Sequence, residues 1–120
     1  MARVLYIEDD FNNRVLVSRV LLAEGFEVHE AENAIIGIEM ARSNPPDLIL
    51  MDISMPEMDG VTATQHIRQL PNISDVPIVA LTANAMQGDK ENFLNAGCDG
   101  YISKPIDIDT FADQIRQYLP

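Results

Sequence analysis

The chain has no tryptophan, one cysteine and only 8 basic residues against 19 acidic ones. Each shortage excludes something. A lone cysteine, Cys98, forms no internal disulfide, and its position reads as a small core residue rather than a nucleophile. A net charge of −11 argues against direct nucleic-acid binding, which needs a basic footprint. It leaves room for cations, for a basic partner surface, or simply for a well-solvated exterior. No apolar run approaches the ~18 residues of a membrane span, and no stretch resembles a signal peptide. The expected setting is therefore a reducing cytoplasm, away from the membrane.

What is present is enough for a real core: 47% apolar residues in a chain of 120, the size of one domain spanning 1–120. The centre of the pattern is Asp47-Leu48-Ile49-Leu50-Met51-Asp52. A short apolar run between turn signals reads as a strand buried on both faces, as in a parallel sheet. Pro45-Pro46 stops what precedes it.

Similar runs recur along the chain. Residues 3–8 read as a strand ending in Glu8, Asp9 and Asp10. Asn12-Asn13 can cap a helix carrying Val17, Val20 and Leu21, closed by Gly25. Phe26 to Glu32 suggests an edge strand, and Asn33 caps a second helix. Val61, Thr64 and Ile67 mark a third helix, ended by Pro71-Asn72. The run from Val76 to Thr82 is a further strand, 86–96 a helix closed by Gly97, and Gly100-Tyr101-Ile102-Ser103 a last strand before Lys104-Pro105. Ile108, Phe111, Ile115 and Tyr118 stripe a final helix with Asp107 as its expected cap. Strand and helix alternate five times, which implies βαβ units, a parallel sheet and helices on both faces.

Parallel strands share their carboxyl edge, and ligands of open α/β sheets bind there. Glu8/Asp9, Asp52, Thr82 and Lys104 all fall on that edge. Singly, each has a plain explanation: acids cap turns, Thr82 is an edge hydroxyl, a lone lysine is solvated. Together they make a chemistry. Crowded carboxylates repel, and a hard cation such as Mg²⁺, which takes oxygen ligands and phosphate, relieves the repulsion. A carboxylate is already ionised near neutral pH and can accept a phosphoryl group. The transferring group then needs mainly positioning and neutralisation, which Lys104 and the Thr82 hydroxyl can supply. Ala83 leaves room beside Thr82.

Ile7-Glu8-Asp9-Asp10, the run from Asp47 to Asp52 with Met55-Pro56 and Asp59-Gly60, Leu81-Thr82-Ala83, and Tyr101-Ile102-Ser103-Lys104-Pro105 together resemble the receiver domain of two-component response regulators. The resemblance covers essentially the whole chain, and the stretch from Thr82 through Lys104-Pro105 is especially similar to DivK-type stand-alone receivers and the receivers of hybrid histidine kinases. It implies a doubly wound, flavodoxin-like (βα)5 fold with strand order 2-1-3-4-5. It implies that Asp52 is the phosphoacceptor. Asp9, Asp52 and the backbone carbonyl of Ser54 would ligate Mg²⁺ (Mn²⁺ being an alternative), with Glu8 acting through water. Lys104 would pair with a phosphoryl oxygen, Thr82 would move toward it, and Tyr101 would turn inward as the switch aromatic. Ser54 and Asn84 would modulate the lifetime of the phosphoryl group, and Lys104-Pro105 would be a cis peptide. Asp10 is most simply a helix-start cap. Without the family, Tyr101 reads as edge-strand packing, Met55, Met58 and Met86 as loop and core filler, and His29 and His66 as surface residues.

The implied partners are a histidine kinase or histidine phosphotransfer protein as donor, and a downstream protein reading the face of the fourth helix, fifth strand and fifth helix. Neither nucleic acid nor membrane is expected as a direct partner, and the oligomeric state is a monomer or weak dimer. No output domain fits between Met1 and Pro120; a fragment of a larger response regulator or hybrid kinase is the alternative. The other classes stand lower. A phosphatase of the haloacid-dehalogenase type needs a second Asp two residues after the nucleophile, where Ser54 stands. A flavin carrier needs a Ser/Thr- and Gly-rich first loop, which here is acidic. A phosphorylation-independent binding module has no use for the full set of acids with Thr82 and Lys104. The domain is expected to act only on its own carboxylate and not as a turnover enzyme.

Overall fold

The computed structural model describes residues 2–83 and 87–119, with 87–90 as backbone alone. Among the described residues the elements are β1 (Arg3–Ile7), α1 (Phe11–Ala23), β2 (Glu27–Ala31), α2 (Ala34–Ser43), β3 (Leu48–Asp52), α3 (Gly60–Arg68), β4 (Ile78–Thr82), α4 (Gln87–Ala96), β5 (Gly100–Ser103) and α5 (Phe111–Arg116). The strands pair in parallel in the order β2-β1-β3-β4-β5, which is the doubly wound order expected.

Hydrophobicity places each strand. Every residue of β3 and β4 is buried, whereas β2 keeps only Ala31 fully buried. The continuous apolar runs therefore occupy the centre, and the alternating run takes the edge. Side chains of successive residues point to opposite faces, and two cores result. Leu5, Ile7, Ile49, Met51, Ile78 and Ala80 pack with Ala41, Ala63, Ile67 and Phe93 of α2, α3 and α4. Val4, Tyr6, Leu48, Leu50, Val79 and Leu81 pack with Val17 and Leu21 of α1 and Phe111 and Ile115 of α5. Cys98 is buried in the first of these, and burial, the largest influence on it, pushes its thiol pKa up, as suits a core residue.

Caps fix the helix starts. Asn33 accepts from the Ile36 N–H and Asp59 from the Thr62 N–H, both at 2.8 Å. α1 begins two residues earlier than a cap at Asn12 would place it: Asp10 is its cap, the simplest role for that residue in the sequence, accepting from the Asn13 N–H at 3.0 Å. Gly25 and Gly97 take positive φ after α1 and α4, the left-handed conformation that ends a helix most cheaply with glycine.

The start of α5 differs from expectation. Asp107 Oδ1 accepts from the Asp109 N–H at 3.0 Å, and its carbonyl accepts from the N–H groups of Thr110 and Phe111. Asp107 thus closes a turn ahead of the helix, whose first residue is Phe111 and whose N-cap, Thr110, makes no side-chain cap bond. Ile108 falls in that turn and is 60% exposed, so the apolar stripe begins at Phe111.

Candidate functional site

The register builds the site. Ile7 lies beside Met51, so Glu8 and Asp52, one step further on, emerge together at the carboxyl edge of the two central strands. Alternation then sets direction: Glu8 follows the parity of Val4 and Tyr6, Asp52 that of Leu48 and Leu50, and Lys104 that of Ile102. All three belong to the side of the sheet covered by α1 and α5. Thr82 pairs with Ser103 in the ladder, and its carbonyl accepts from the Lys104 N–H at 2.7 Å. β4 thereby carries the Lys104 backbone up to the edge. The Lys104-Pro105 bond is cis, as the resemblance implied.

The Lys104 Nζ donates to Asp52 Oδ1 and to Glu8 Oε1, each at 3.2 Å. Both acids are almost fully buried, and Thr82, at the end of β4, is buried too. Asp9 is exposed at the rim. One oxygen from each of Glu8, Asp9 and Asp52 falls within 4.8 Å of the others. These are hard oxygen donors of like charge, a set that fits Mg²⁺ or Mn²⁺ and offers nothing to a softer metal. The Ser54 N–H lies 3.4 Å from Asp52 Oδ1, which holds the loop after β3 against the carboxylate.

Electrostatics follow from this crowding. Burial, then the hydrogen bond and charge of Glu8, push Asp52 up to about 7, against the opposing pull of Lys104. Glu8 goes the other way: burial is its largest single influence and raises it. The hydrogen bonds from Asp52 and Tyr6 and the Lys104 charge together outweigh that and lower it. The two carboxylates therefore titrate as a coupled pair, Asp52 pushed up and Glu8 pushed down. Lys104 is raised despite its burial, by the charges of Asp52 and Glu8, and stays an ammonium.

Two participants escape a reading of the sequence alone. Tyr6 is fully buried and its hydroxyl donates to Glu8 Oε1 at 2.9 Å; inside Val4-Leu5-Tyr6-Ile7 it looks like one more core residue. Arg14 of α1 donates to the Glu8 carbonyl at 2.7 Å, and only its place one helical turn after Asp10 could have hinted at it.

The remaining expected residues fall as follows. Tyr101 is half-buried against the core beneath α2–α4. It lines a groove of about 440 Å³ with Pro105, Asp107, Gln114, Gln117 and Tyr118. Asn84 and Met86 lie outside the described residues, while Met55 is buried and Met58 packs on the same core. His29 bonds Glu27 on the edge strand at 2.9 Å, His66 is exposed on α3, and neither joins the acidic group. No described helix is long and apolar enough to cross a membrane.

Comparison with known proteins agrees with this geometry. Residues 4–116 match the family model described as the response regulator receiver domain. The polar-differentiation response regulator DivK of Brucella anthropi is 38% identical over 116 residues, covering 97% of this chain and 94% of that protein. The fold superposes on the chemotaxis protein CheY4 of Vibrio cholerae with a TM-score of 0.94 at 28% identity, over 99% of both chains. The receiver domain of a sensor histidine kinase from Pseudomonas aeruginosa PAO1 gives a TM-score of 0.90 at 36% identity, over 98% of this chain and 96% of that one. The latter structure holds a magnesium ion coordinated in its active-site cleft.

Proposed function

The chain belongs to the response regulator receiver domain family of two-component signalling, and from that premise we propose that it accepts a phosphoryl group from a phosphohistidine partner onto Asp52. The observation that carries this reading is the convergence of Glu8, Asp52 and Lys104: one ammonium 3.2 Å from an oxygen of each of two buried carboxylates, with Asp9 and Thr82 at the same edge.

The Asp52 carboxylate oxygen forms a bond to phosphorus as the P–N bond to the donor imidazole breaks. The electron pair stays on the leaving nitrogen. Nothing must deprotonate the nucleophile once its carboxylate is ionised. Asp9, Asp52 and the Ser54 carbonyl would hold Mg²⁺, with Glu8 acting through water. The cation would supply charge for the phosphoryl oxygens and relieve the repulsion that raises Asp52. Lys104 turns its ammonium from Asp52 to a phosphoryl oxygen, and the Thr82 hydroxyl donates to another. β3, packed on both faces, holds Asp52 still while these groups adjust.

The phosphoryl group adds about −1.5 to −2 charges. Tyr101 follows Thr82 inward, and the groove beside it changes shape, which alters the surface of α4, β5 and α5 that a downstream protein reads. Ser54 and Asn84 set how long the group persists. The domain turns over no external substrate, acts in the cytoplasm as a monomer or weak dimer, and takes a histidine kinase or phosphotransfer protein as donor.

Incubation with a small acyl phosphate, with and without Mg²⁺, tests this by intact mass. One phosphoryl adduct is expected, dependent on Mg²⁺ and missing from Asp52→Asn. An adduct that persists in that variant contradicts the assignment of Asp52, and none at all contradicts phosphoryl acceptance.

A further inference from the structure

Tyr6 and Glu8 stand two residues apart at the end of β1, on one face of the sheet. The Tyr6 ring fills the core between the sheet and α1, and its hydroxyl emerges at the floor of the site, 2.9 Å from Glu8 Oε1. The same oxygen accepts from Lys104 at 3.2 Å, and Glu8 Oε2 lies 3.4 Å from the Asp10 N–H. Donors on both oxygens fix the plane of the carboxylate. Glu8 can bend back to the phenol because it is one methylene longer than Asp, a difference of about 1.5 Å in reach.

We propose that Tyr6 is a positioning residue for the cation site, its hydroxyl holding the Glu8 carboxylate in the orientation that faces Asp9 and Asp52. The inference rests on the phosphoacceptor reading of the same site. Tyr6 touches neither the phosphoryl group nor the cation; it acts through Glu8, as outer partners of metal ligands do. Tyrosine at 6 and glutamate at 8 are then a matched pair. An aspartate at 8 would withdraw from the phenol and leave it with nothing to hold.

The test is a double-mutant cycle read by calorimetric titration with Mg²⁺ and by electron paramagnetic resonance of free Mn²⁺. Tyr6→Phe keeps the ring and removes the hydroxyl. Outer partners of direct ligands typically contribute 10–100-fold to affinity; since Glu8 acts through water, about 3- to 10-fold weaker binding is expected. In a Glu8→Asp background the same substitution should change affinity less than about twofold, because the pair no longer touches. Equal losses in both backgrounds would mean that the hydroxyl serves only the fold and would overturn the inference. Wild-type binding with an unchanged Tyr6→Phe would overturn it alone. A wild-type protein that binds neither ion would overturn the reading of the site and this inference with it. Thermal melts of all four proteins check that each is folded at the titration temperature.

Discussion

Gly60 closes directly on the backbone of Asp52: a Cβ at position 60 would lie 2.7 Å from the Asp52 carbonyl oxygen and 2.9 Å from the Cα of Ile53. Both neighbours are main chain, so neither can rotate away. The start of α3 is thus seated on the strand end that carries the proposed phosphoacceptor, and the Gly60 N–H donates to the Ile53 carbonyl at 3.1 Å. Gly60→Ala is expected to destabilise the fold by about 1–3 kcal/mol, the usual range for overpacking. It should also slow adduct formation by displacing the loop from Ile53 to Asp59. Urea unfolding and the time course of intact mass check the two parts.

Asp52→Asn should show a pH-dependent gain in stability in metal-free protein. In the folded state Asp52 is raised to about 7 from its ordinary 3.8, so the folded chain holds this proton more tightly than the unfolded one. Stability from the group is full below about pH 4 and is lost as pH rises through about 7. Asparagine carries no such titration. The variant should gain on the wild type by roughly 1–3 kcal/mol between about pH 5 and pH 8. Chemical unfolding in a chelator across that range measures it, and a flat difference would contradict the effect of burial and of the neighbouring Glu8 on Asp52.

Lys104→Met leaves two buried carboxylates without their ammonium. The loss in stability is expected to be about 1–3 kcal/mol near pH 8 and smaller near pH 5, where a proton substitutes for the lost charge. Adduct formation from an acyl phosphate should fall by about 10- to 100-fold, as when a positioned donor to a developing charge is removed. Lys104→Arg should restore stability better than rate, since a planar guanidinium keeps the charge but not the point geometry of an ammonium.

Cation removal should be visible without any phosphoryl donor. At ten times its Kd, Mg²⁺ stabilises the folded chain by about 1.4 kcal/mol, which raises Tm by several degrees in a domain of this size. Asp9→Asn should abolish most of that rise while leaving the metal-free Tm nearly unchanged, because Asp9 is exposed and removing it costs little packing. A rise that survives Asp9→Asn would place the cation elsewhere.

The residues that made the fold legible are those whose chemistry has one structural solution. Leu48 to Met51 read as a strand buried on both faces, and Glu8, Asp9, Asp52, Thr82 and Lys104, at strand ends of a parallel sheet, had to share an edge. Asn33 and Gly25 carried their capping roles openly. Tyr6 was hidden because its hydroxyl acts within a run whose other members are core, and a sequence does not say which buried aromatic has a polar tip in reach of a carboxylate. Arg14 was hidden because it bonds a backbone carbonyl, a contact set by helix placement. The Asp107 expectation missed because a turn that the residue closes on itself looks, in sequence, like the cap of the helix, which begins four residues later.

Asp52, and no neighbouring acid, is expected to form the covalent bond to phosphorus. An acyl phosphate is reduced by borohydride to the corresponding alcohol, which converts a phosphorylated aspartate to homoserine and leaves free carboxylates untouched. After phosphorylation in Mg²⁺ and reduction, peptide mass spectrometry should place homoserine at position 52 alone. Reduction at Asp9 or Asp10, or phosphate retained on His29 or His66, would contradict the account.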